Sequence, residues 1–77
     1  MPTRNLLERQ LREFLELMRR GEDTAARVLE FARTASAGDP RFGDVFRQAE
    51  ESYREAVENR KRAEERLRAY FDAKGQS

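Results

Sequence analysis

From Leu7 onward the apolar and small residues fall at Leu7, Leu11, Phe14, Met18, Gly21, Ala25, Val28, Ala32 and Ala35, in alternating steps of four and three. A second series runs through Phe42, Phe46, Ala49, Tyr53, Ala56, Arg60, Ala63, Leu67 and Tyr70 with the same alternation, and only Arg60 is out of character. Such steps keep one stripe of a helix turned toward a neighbouring helix over many turns. A half-buried strand needs period two, which neither series has. The spacing therefore predicts an all-α chain with two long helices.

The punctuation between the two series fits that reading. Ser36-Ala37-Gly38-Asp39-Pro40 supplies a glycine for one helix end, an aspartate N-cap and a proline at the first position of the next helix. Gly43-Asp44 offers a later start, so the second helix begins between 40 and 44. Asn5 followed by Glu8 has the form of a capping box, with Thr3 as a competing cap. Lys74-Gly75 closes the second helix with a cation in its last turn.

Gly21 is the one ambiguous signal. Arg19-Arg20 before it and Glu22-Asp23 after it match a helix ending and another starting, because cations favour the C-terminal dipole and anions the N-terminal one. A break there gives a three-helix bundle over roughly 4–20, 23–37 and 42–74. Continuity gives an antiparallel hairpin over about 4–37 and 41–74, with arms of about 33 and 32 residues, each ~50 Å long. The heptad phase is kept across Gly21, and equal arms joined by a short turn are what a hairpin requires. The hairpin is the expected fold, as one domain over 1–77. Small residues on the first arm near the turn (Gly21, Ala25, Ala32, Ala35) are expected to face bulky ones on the second (Phe42, Phe46, Tyr53), so Gly21 should be small because something large lies against it.

A seam between two helices uses two positions per heptad, and this chain has apolar residues beyond them. Leu15, Leu17, Leu29 and Phe31 on the first arm, with Val45, Val57 and Phe71 on the second, flank the expected seam. Burying one such side chain contributes ~1.5–3 kcal/mol, so together they form a candidate partner interface. A second copy satisfies them most simply, giving a homodimeric four-helix bundle; a different helical protein is the other expected partner. Arg60 either carries its head outward past a packed stem or pairs with a glutamate across the seam and sets its register.

Composition narrows the remaining classes. Charged residues make up 40% of the chain yet nearly cancel, to +1. Many fall four apart in opposite sign, as in Glu8–Arg12, Glu16–Arg20 and Glu64–Arg68, which is the pattern of a solvated helix face. Nucleic acid is the alternative partner, through Arg54, Lys61, Arg62, Arg66 and Arg68. The interleaved glutamates and the missing basic excess count against it. Cysteine and histidine are absent, so no disulfide, thiolate site or ordinary neutral-pH base is available. No metal, cofactor, small-molecule substrate or catalytic residue is expected, and the chain is read as a non-enzymatic adaptor, chaperone or regulator. No stretch approaches the ~20 apolar residues of a membrane span, and the N-terminus lacks the apolar run of a signal peptide, so a cytoplasmic location is expected. Arginine supplies fourteen of the sixteen cations, as the codon usage of a GC-rich bacterial genome would give.

Overall fold

A computed structural model describes residues 2–76, and the side chains of residues 6–75. The first helix, α1, runs without interruption over Pro2–Gly38, and the second, α2, over Gly43–Gln76. They lie antiparallel as a hairpin of 57 × 18 × 12 Å, joined by a single 3₁₀ turn at Pro40–Phe42. The helix passes straight through Gly21, and the three-helix alternative is excluded. The first arm extends beyond its expected bounds of 4–37 at both ends, and the second begins and ends two residues later than 41–74. Because α1 begins at Pro2, Asn5 lies inside the helix and does not cap it. Mid-helix glycine costs about 1 kcal/mol relative to alanine, which the packing of two long helices offsets.

The turn is tied by Asp39. Its backbone is extended (φ −152°, ψ 115°), and its Oδ1 accepts the Arg41 backbone N–H at 3.0 Å. The Arg41 guanidinium grips the same carboxylate, with Nε 3.0 Å and a terminal nitrogen 2.6 Å from Oδ2. That side-chain bond, helped by the backbone one, holds the Asp39 carboxyl below the usual carboxylate range. The Asp39 N–H still donates to the Ala35 carbonyl at 3.0 Å, and the Phe42 N–H donates to the Asp39 carbonyl at the same distance. No described residue takes a left-handed backbone, so Gly38 ends α1 without the twist that usually selects glycine there.

Contacts across the seam fix its register. Glu8 meets Lys74, Arg12 meets Phe71, Arg19 meets Glu64 and Glu22 meets Arg60, one number falling as the other rises. At this register Ala32 stands across from Ala49, Leu15 from Leu67 and Leu11 from Tyr70. Among the described residues four apolar ones are buried: Leu15, Ala32, Ala49 and Ala63. Leu11, Met18, Ala25 and Leu29 of α1, with Phe46, Tyr53, Ala56, Val57, Leu67 and Tyr70 of α2, are half-buried around them.

Two rows of α1 have exchanged places relative to the sequence expectation. Leu15 and Leu29, expected on the outside, belong to the seam, and Val57 joins them from α2. Leu7, Phe14, Gly21 and Val28, expected inside, are exposed. Nothing lies within 4 Å of where a Gly21 side chain would begin, so this glycine relieves no crowding within the hairpin. The inward row carries Glu8 and Glu22 as well as its leucines. On α2, Lys74 reaches Glu8 at 3.9 Å and Arg60 reaches Glu22 at 2.9 Å.

Candidate interaction surface

Arg60 takes the second of its two expected roles. Its Nε donates to Glu22 Oε2 at 2.9 Å and a terminal nitrogen donates to Glu22 Oε1 at 3.2 Å, a two-pronged grip across the seam. The other terminal nitrogen donates to Glu64 Oε2 at 3.2 Å. The bond from Arg60 is the main cause holding the Glu22 carboxyl below the usual range, and the same bond raises Arg60. All three side chains are half-buried. A polar layer of this kind aligns two helices, because any slip leaves a partly desolvated charge without its counterpart.

One flank of the seam continues this pattern. The Arg12 guanidinium lies over the Phe71 ring, 5.3 Å from its centroid, and Phe71 meets Tyr70 edge to face at 5.6 Å. Arg12 also reaches Glu8 at 3.1 Å, Lys74 reaches Glu8 at 3.9 Å and Arg19 reaches Glu64 at 3.9 Å. Long basic side chains lay their stems along the apolar seam and keep their heads in water.

The opposite flank is built differently. Leu7, Phe14, Gly21 and Val28 recur every seven residues on α1, and Gln10, Leu17, Thr24 and Phe31 recur every seven beside them. At roughly 100° per residue the two rows form one stripe along α1, a quarter-turn from the seam. Its apolar members stand open: Phe31 is 77% exposed, Leu17 58% and Val28 51%. Facing the stripe across a groove, α2 presents Val45, Ser52, Asn59 and Arg66. Met18, Gly21, Ala25, Ala56 and Asn59 line a shallow depression of about 250 Å³ in that groove, and Phe14, Met18, Arg62 and Arg66 line the next one along.

The seven candidate interface residues are therefore split. Leu17 and Phe31 lie on the open stripe, and Val45 is exposed at the turn end of the groove. Leu15 is buried, Leu29 and Val57 are half-buried in the seam, and Phe71, with the Arg12 guanidinium over its ring, is still 37% exposed. Phe14 and Val28, which the spacing assigned to the core, complete the stripe. The signal that could have located it was Arg60: an arginine on the α2 stripe needs a carboxylate opposite, and Glu22 lies in the row that turns inward.

The five candidate nucleic-acid residues are all exposed but do not converge. Arg54, Lys61 and Arg68 lie seven apart on the outer side of α2, whereas Arg62 and Arg66 lie toward the groove. Directly beside the outer row runs an acidic one, Glu51, Glu58, Glu65 and Asp72, also seven apart and exposed. Adjacent rows of opposite sign cancel within a Debye length, leaving little field to attract a phosphate backbone.

Among the described residues no group of histidine, cysteine, aspartate or glutamate is placed to hold a metal ion, and no helix is long and apolar enough to cross a membrane. In comparisons with protein families, curated proteins and solved structures, the chain matches none.

Proposed function

We propose that this chain is a protein–protein interaction module, an adaptor, chaperone or regulator without catalytic activity. It works by presenting the open stripe of α1 to another helix for coiled-coil-like packing. The observation that carries this reading is the stripe itself: five large apolar side chains, Leu7, Phe14, Leu17, Val28 and Phe31, exposed in one line on a rigid helix. Recognition of one helix by another uses such heptad-spaced anchors beside a shallow groove.

The shape of the molecule supports the same reading. A compact monomer of 9.1 kDa exposes about 4,900 Å², whereas this chain exposes 6306 Å². Its radius of gyration is 17.4 Å, against about 11.5 Å for a compact domain of this length. An elongated chain with this much surface and apolar side chains exposed along α1 suits a helical partner better than nucleic acid.

Photo-cross-linking in cells of the source organism tests the proposal. A benzophenone amino acid at position 31 should give discrete cross-linked species, and the same probe at position 51, on the outer side of α2, should give none. Absence of any discrete product at position 31 would remove the proposal.

A further inference from the structure

Resting on that reading, we infer that the helix docked on the stripe belongs to a second copy of this chain, lying antiparallel, with Leu17 of each copy seated over Gly21 of the other. A two-fold axis requires the same patch to complement itself. With the axis passing between positions 17 and 21, Leu17 meets Gly21, Phe14 meets Thr24, Gln10 meets Val28 and Leu7 meets Phe31 of the other copy. Near the axis each large residue meets a small one, which is how facing positions fill space evenly. A parallel pairing would set Gly21 against Gly21 and Phe14 against Phe14, leaving a void beside a clash.

Gly21 gives a second, independent reason. Glycine weakens a helix interior, and within the hairpin no neighbour needs the space where its side chain would be. The groove is open at that point, lined by Met18, Ala25 and Ala56 with Ser52, Glu55 and Asn59 at its polar side. A leucine from outside fits there and gives the missing side chain a use.

Area agrees. The chain exposes about 1,400 Å² more than a compact protein of its mass. A stable interface removes about 800 Å² from each partner, well within that excess. The net charge of +1 lets two copies approach without repulsion. The antiparallel step brings Glu13, at the stripe's outer edge, near Arg27 of the other copy, and it also sets Arg20 beside Arg20 at the axis.

The chain has no cysteine, so engineered disulfides report the geometry directly. Two single variants, Leu17→Cys and Gly21→Cys, are mixed in a glutathione redox buffer and the products are weighed by mass spectrometry. The 17–21 disulfide between chains should exceed either symmetric product by about tenfold, a difference that proximity alone produces. An excess of 17–17 or 21–21 product, or a yield no higher than that of a Glu51→Cys control, overturns the inference. Because the cysteine replaces an anchor, a second measurement is made on intact side chains. Sedimentation at about 100 µM should give a dimer for the natural sequence and a helical monomer for Gly21→Leu, which fills the notch. A natural chain that stays monomeric overturns the second copy. A discrete cross-link to another protein at position 31 would still leave the interaction module standing.

Discussion

On one flank of the seam Arg12 lies over Phe71, Arg19 reaches Glu64 and Lys74 reaches Glu8. On the other, Leu7, Phe14, Leu17, Val28 and Phe31 face solvent, with Val45, Ser52, Asn59 and Arg66 of α2 across the groove. Both flanks belong to the same two helices and have the same depth to cover. The first is covered by Phe71, itself 37% exposed, with arginine and lysine side chains over and beside it and no third helix. An open apolar flank is therefore not forced by the thinness of a hairpin. The chain covers one side with Phe71 and charged side chains and carries leucine, valine and phenylalanine on the other, and that asymmetry is the physical basis for assigning the second side to a partner.

Five substitutions and a pH series sharpen or break this contrast, from the largest expected effect to the smallest. Leu15→Ala removes a buried seam residue and should destabilise the hairpin by about 3 kcal/mol in urea unfolding. Leu17→Ala, two residues along but on the stripe, should cost the separated chain under about 0.5 kcal/mol. Equal losses at both positions would mean that the stripe belongs to the core and the contrast is mistaken. Phe31→Asp should leave the helical circular dichroism of dilute protein unchanged while weakening self-association by about 2 kcal/mol, roughly thirtyfold in dissociation constant. Unaltered association would detach Phe31 from any interface.

Gly21→Ala should act with opposite signs on the two levels of structure. At dilution it should stabilise the helix by about 1 kcal/mol, because nothing crowds the new methyl group. At high concentration it should weaken pairing, since the methyl occupies the place meant for Leu17. Stabilisation at both levels would argue against the notch. The smallest effect concerns pH. The Arg60 bond holds the folded Glu22 carboxyl below its usual range, so the stability it gives is present at neutral pH and is lost as pH falls below about 4.5 through the lowered value. Thermal melts from pH 7 to pH 3 should therefore steepen at the acid end. Glu22→Gln should reduce that slope without abolishing it, because Asp39 is lowered in the same direction by Arg41. An identical slope in the variant would mean that the pair adds nothing to stability.

The hairpin could be read from the sequence; the orientation of α1 within it could not. Two uninterrupted heptad series of equal length, separated by Gly38-Asp39-Pro40, leave few other folds, and the turn forms where those residues stand. Which stripe of α1 turns inward was obscured because three adjacent rows are apolar to a similar degree. Scored by hydropathy, the row of Leu7, Phe14, Gly21 and Val28 looks better than the row of Glu8, Leu15, Glu22 and Leu29, because the second contains two carboxylates. Those carboxylates are met on α2 by Lys74 and Arg60. Residue-by-residue hydrophobicity cannot see a pairing of this kind. On α2, where the rows beside the seam are more polar, the expected and observed faces agree except at Val57, which is half-buried, and Phe42, which is exposed. The ion-pair lattice was legible only in part: Glu8–Arg12 and Glu16–Arg20 form as spaced, whereas Arg60 and Arg19 reach across the seam to Glu22 and Glu64.

Hydroxyl-radical footprinting, read residue by residue in the mass spectrometer at about 1 µM and about 100 µM, puts the two flanks side by side in one sample. If the stripe joins copies of the chain, Phe14, Leu17 and Phe31 become protected as concentration rises, while Phe42 at the turn and Phe71 beneath Arg12 keep their reactivity. Equal reactivity of all five at both concentrations would contradict the account.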